Sequence, residues 1–119
     1  MLSLIAADHV QNPRRQGPLE GAQYGVSGSP GDGPYVEVWT IMEHGLIVKA
    51  AYRTHGCPSS VAASSMVCQL AEGKTPCFAD LLTAEDLIVV LGGLPEGKER
   101  FARMAVEALR KSVQIEVKN

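Results

Sequence analysis

Two runs rich in strand-forming residues, YVEVWTI at 35–41 and LIVKAAYRT at 46–54, stand on either side of the turn residues Glu43, His44 and Gly45. The first run alternates in character with a period of two, which predicts a strand. A connection this short makes the pair an antiparallel hairpin. Beyond the hairpin the pattern changes to helical spacing, with helices predicted over 58–72, 75–82, 84–91 and 98–113. In the last of these, Phe101, Met104, Ala105, Ala108 and Leu109 fall on one stripe, which should pack on the sheet near Trp39 or its strand neighbours. Upstream, residues 2–10 predict a short helix ended by the Asn12-Pro13 turn, 14–21 a loop, 22–27 an edge strand, and SGSPGDGP at 27–34 a second loop. Strands followed by helices define an α+β order: a three-stranded antiparallel sheet packed against several helices. At 119 residues the chain is expected to form one domain over 1–119.

Composition narrows the functional classes. Hydrophobic content of 45% and charged content of 20% are ordinary for a soluble globular protein. A net charge of −2, with Arg14-Arg15 the one adjacent basic pair before the last helix, lacks the footprint of a nucleic-acid binder. The run 87–94 is too short to span a bilayer, and the opening MLSLIAAD meets Asp8 with no cleavage-site pattern behind it. No nucleic-acid or membrane partner is therefore expected. Three cysteines without framework spacing fit a reducing cytosol, so the expected location is cytoplasmic.

The stretch THGCPSSVAASS, residues 54–65, carries the chemistry. Proline is tolerated at the first helical position, where the N–H it lacks would be unpaired. Cys57 is then the N-cap, with its sulfur facing the free N–H groups of the first turn. A thiolate is favoured at such a place, and Gly56 lets the chain turn and leaves the sulfur reachable. Cys57 is thus a candidate nucleophile, metal ligand or sulfur acceptor; the competing reading is a small, inert helix-start residue. Cys68 returns to nearly the same azimuth but about 16 Å along the axis, too far to share a metal with Cys57, and reads as core. Cys77, after Thr75-Pro76, reads as structural or incidental. Ser59, Ser60, Ser64 and Ser65 lack a nucleophile-elbow pattern and read as capping and small-residue packing.

Three segments, DHVQNPRRQGPLEGA at 8–22, AYRTHGCPSSVAASSMVCQLAEGKT at 51–75 and LGGLPEGKERFARMAVEALRKSV at 91–113, resemble blocks of the IscU/NifU N-terminal family of iron–sulfur cluster assembly scaffolds. The resemblance covers almost the whole chain, in order. It implies the α+β fold above, a scaffold rather than an enzyme, and a site of three cysteines and one aspartate on three loops that holds a cluster or a zinc ion. Cys57 matches the central cysteine. The loop expected to carry the first cysteine reads SPGDGP: Asp32 stands either at the cysteine's place or, with an insertion, at the aspartate's, leaving Pro30 for the cysteine. The third cysteine is replaced by Arg100-Phe101. His9 matches the family's Asp-His and is expected to pack the N-terminal segment. Lys98 matches a lysine near the cluster loop, where its charge would favour a thiolate or persulfide at Cys57; the alternative is an ordinary charged helix start.

Asp32 is either an oxygen ligand beside Cys57 or a turn residue bonded to nearby backbone. His55, two residues before Cys57, shares its face in extended backbone, and the alternative is a solvated strand-end histidine. Cys57, Asp32 and His55 would make at most a mixed three-ligand site, which suits weak zinc better than a stable cluster. The expectation is a scaffold-like iron–sulfur assembly protein with an eroded site. Cys57, Asp32 and Lys98 would face the cargo, and Cys57 would take persulfide sulfur from a cysteine desulfurase. Any iron–sulfur cluster would be transient, zinc weak or no metal bound, and the chain a monomer or weak homodimer. One alternative is a non-metal binding or regulatory module that keeps the fold and the partner surface. A thiol enzyme would need His55 as base.

Overall fold

A computed structural model describes residues 2–12 and 14–114. In chain order the elements are α1 (Leu4–Gln11), β1 (Gln23–Gly28), β2 (Tyr35–Glu43), β3 (Leu46–His55), α2 (Pro58–Ala71), α3 (Pro76–Leu81), α4 (Ala84–Val90) and α5 (Glu99–Val113). The strands form one antiparallel sheet in the order β1-β2-β3. The α+β architecture read from the sequence is the one observed. β2 runs on to Glu43 because the turn needs only His44 and Gly45, whose φ angles of 54° and 78° are both left-handed, as a two-residue type I′ turn requires.

The helices pack on one face of the sheet, α5 against β1 and β2 and α2 against β3. Val36 and Val38 of β2 and Ile47, Ala50 and Tyr52 of β3 join Ala63 and Val67 of α2 and Ala105 and Leu109 of α5 in one apolar core. Thr40, fully buried on the same face, donates from Oγ1 to the Ser112 carbonyl at 3.0 Å. Gly25 of β1 is required by closeness: a Cβ there would lie 2.2 Å from the Ala108 carbonyl oxygen.

Strand alternation then sends Tyr35, Glu37 and Trp39 to the opposite face. Trp39 therefore does not meet the last helix; its neighbours Val36 and Val38 take that role. Its ring lies 5.5 Å from that of Tyr24, with the Arg53 guanidinium 5.4 Å from its centre. Glu37, nearly buried beside it, accepts from Arg53 Nε at 2.7 Å and Tyr24 Oη at 2.6 Å. Burial pushes the Glu37 carboxyl up, but these two donors outweigh it and hold the group below the usual carboxylate range.

The free edge of β3 is covered, which removes a template for strand pairing. Gln16 makes a parallel bridge with Tyr52, so the predicted loop 14–21 is partly sheet-bound. The Tyr52 N–H donates to the Arg15 carbonyl at 2.9 Å, and the Gly17 N–H to the Tyr52 carbonyl at 2.7 Å. Gly73 and Lys74 bond Ile47 in the same way. Between them, Glu72 accepts the Ala50 N–H at 3.2 Å and Arg15 Nε at 2.5 Å. At the N-terminus, buried His9 packs α1 on α2 as expected, with Nδ1 2.7 Å from Ser65 Oγ.

Candidate functional site

The hairpin brings three chain segments to one end of the sheet. Tyr35 and His55 pair across β2 and β3, so the loop before Tyr35 and the Gly56-Cys57 step after His55 leave the sheet side by side. The start of α5 closes the third side.

Cys57 is the N-cap of α2, in extended backbone at φ −115° and ψ 176°, with Pro58 opening the helix. Its side chain makes no capping hydrogen bond. The expected contact between sulfur and first-turn N–H groups is therefore not formed. Instead the Cys57 carbonyl accepts the Ser60 N–H at 2.9 Å and the Ser60 hydroxyl at 2.7 Å. The thiol is half-buried, which leaves the sulfur both shielded and reachable.

Gly56 earns its place by closeness. A Cβ at that position would stand 3.0 Å from both Phe101 Cε1 and Ser60 Oγ. The Phe101 ring thus lies against the backbone step that leads into Cys57. Phe101 is 1% exposed, among the largest fully buried side chains. Lys98, the N-cap of α5, puts Nζ 5.9 Å from the ring centre, and the Arg100 guanidinium lies 4.8 Å from it. Two cations on an aromatic face are held by its quadrupole, and both belong to the start of α5. Lys98 thus meets this end of the sheet through the Phe101 ring. Spacing put Phe101 on the helix stripe and the resemblance put Arg100-Phe101 in the third cysteine's place; neither signalled the contact between the ring and Gly56.

Asp32 sits on the exposed loop between β1 and β2, its N–H donating to the Ser29 carbonyl at 2.9 Å. Gly31 and Gly33 line a shallow cavity of about 260 Å³ with Tyr35 and His55. The exposed His55 ring is stacked on Tyr35, with centres 6.1 Å apart and planes 20° from parallel. Among the described residues no three His, Cys, Asp or Glu side chains converge as a metal site. Cys57, Asp32 and His55 thus share one end of the sheet without forming a three-ligand group. Cys68 is fully buried in α2, and burial pushes its thiol far up; Cys77 is exposed at the start of α3.

The chain belongs to the family described as NifU-like N terminal domain, which matches residues 4–116. Among its relatives, the iron-sulfur cluster assembly scaffold protein IscU 1 of Archaeoglobus fulgidus is 35% identical over 107 residues, covering 89% of this chain and 70% of that protein. The scaffold protein IscU of Escherichia coli is 29% identical over 111 residues, covering 89% and 86%. In fold the chain is similar to a putative iron-sulfur cluster assembly scaffold protein for the SUF system from Fervidobacterium islandicum. The TM-score is 0.68 at 17% identity, with 94% of this chain and 96% of that one covered. The N-terminal part of a nitrogen-fixing NifU-like protein from Brucella abortus gives 0.60 at 22% identity, covering 93% and 76%. No helix among the described residues is long and apolar enough to cross a membrane.

Proposed function

We propose that the chain works in iron–sulfur cluster assembly as a scaffold-type carrier, not a catalyst, and that Cys57 is the atom through which it handles sulfur. The observation that carries the reading is the half-buried Cys57 at the head of α2, set in the family fold one residue from the Gly56–Phe101 contact. A cysteine desulfurase in the cytoplasm is the partner that fits this chemistry. The Cys57 thiolate attacks the outer sulfur of the desulfurase persulfide. A Cys57 Sγ–S bond forms, the donor's S–S bond breaks, and the donor cysteine leaves as thiolate. No net oxidant is needed.

The cluster is cargo. Iron–sulfur clusters are held at four positions, chiefly by thiolates, and Cys57 is the one cysteine at this end of the sheet. Asp32 and His55 are the remaining oxygen and nitrogen donors nearby, for weak zinc or for iron in transit. The test is the desulfurase's turnover of cysteine with and without this chain under reducing conditions. Turnover should rise with the wild type and fall back with Cys57→Ser; equal stimulation by both would remove Cys57 from the pathway.

A further inference from the structure

Phe101 is a large, fully buried apolar side chain, and its ring reaches the backbone step that leads into Cys57. The ring edge presses on Gly56, and Lys98 and Arg100 lie against its faces. The side of the Cys57 site that α5 faces is thus filled by a ring that offers no ligand atom and carries two fixed positive charges. A cluster would need that space and a further ligand atom in it. A single anionic sulfur on Cys57 needs neither.

We infer that Phe101 decides what this site accepts: the ring closes the α5 side against an iron–sulfur cluster, so that a single chain carries sulfur on Cys57 without assembling a cluster around it. The inference rests on the sulfur-handling role proposed above. It adds a residue that sets specificity by occupying a ligand's place.

The experiment is anaerobic reconstitution of the full chain with ferrous iron and sulfide, read by visible absorption, by iron retained through gel filtration and by circular dichroism for folding. The wild type should emerge as a monomer with trace iron and no cluster absorption. Phe101→Cys, which removes the ring and supplies a thiolate, should bind iron more tightly by roughly tenfold or more, the scale on which individual contacts tune metal sites. Arg100→Cys removes one of the two cations and adds a thiolate one residue away but keeps the ring, and it should stay as poor in iron as the wild type. A stoichiometric cluster on the wild-type monomer overturns the inference, as does a folded Phe101→Cys with no gain, or Arg100→Cys gaining iron with Phe101 in place. If Phe101→Cys does not fold, the wild-type and Arg100→Cys arms still decide. Sulfur loading of Cys57 by a desulfurase, followed on the same proteins, reports separately: its failure alone removes the sulfur-handling role and leaves the closure by Phe101 standing.

Discussion

The edge of the Phe101 ring and the backbone of Gly56 are in contact, so close that a Cβ on Gly56 would sit 3.0 Å from Cε1. The same Cβ would meet Ser60 Oγ at 3.0 Å, and that hydroxyl is already committed to the Cys57 carbonyl. Gly56→Ala should therefore cost about 1–3 kcal/mol through overpacking, measured by urea unfolding. Unchanged stability would mean that the ring does not press on this step.

The burial of His9 makes stability depend on pH. Burial lowers the His9 pKa below its ordinary 6.5, and the Arg14 charge adds to the effect. In the unfolded chain His9 takes up a proton first, so the unfolded state binds more protons as the pH falls below about 6.5. The stabilisation is fully present above that value and is lost as the pH drops towards the folded-state pKa. His9→Gln should flatten this part of the stability–pH curve relative to the wild type. An identical slope in both proteins would place the pH response elsewhere.

The three cysteines should separate cleanly. Cys77 is exposed, Cys57 half-buried and Cys68 buried, and burial pushes the Cys68 thiol up. Alkylation of the native chain at neutral pH should modify Cys57 and Cys77, with Cys68 reacting only after denaturant is added. Peptide mapping that finds Cys68 modified in the native state would contradict the packing of α2.

Tyr52 Oη is buried beside Ser65 with no hydrogen-bond partner among the described residues, while Ser65 Oγ is engaged by His9. An unpaired buried hydroxyl carries a desolvation cost of about 1–3 kcal/mol. Tyr52→Phe should be neutral or stabilising by about 1 kcal/mol. A marked loss of stability would reveal a bond between Tyr52 and the serine.

The fold was legible because its signals are local. Alternation in 35–41, the Gly45 turn, Pro58 and Pro76 at helix starts and the α5 stripe each specify a conformation from adjacent residues. Whether Trp39 or its strand neighbours meet α5 was left open because alternation states that neighbours face opposite ways without stating which face is inward; Val36, Val38 and the bare surface of Gly25 decide that only when α5 docks. At the site, Cys57 was readable from its neighbours Gly56 and Pro58. The Gly56–Phe101 contact joins residues far apart in the chain, and no local pattern announces it. Asp32 and His55 carry the right donor atoms, but convergence on a metal is a matter of side-chain direction: the loop holds Asp32 outward, and Tyr35 takes the face of His55.

Sulfur transfer to Cys57 tests the central claim most directly. The chain is incubated anaerobically with a cysteine desulfurase and cysteine, free thiols and persulfides are trapped, and the intact protein and its peptides are weighed. A single added sulfur atom on Cys57, absent in Cys57→Ser and not relocated to Cys77, is the result predicted. Sulfur on Cys77 alone, or no added sulfur on a chain that binds the desulfurase, would contradict it.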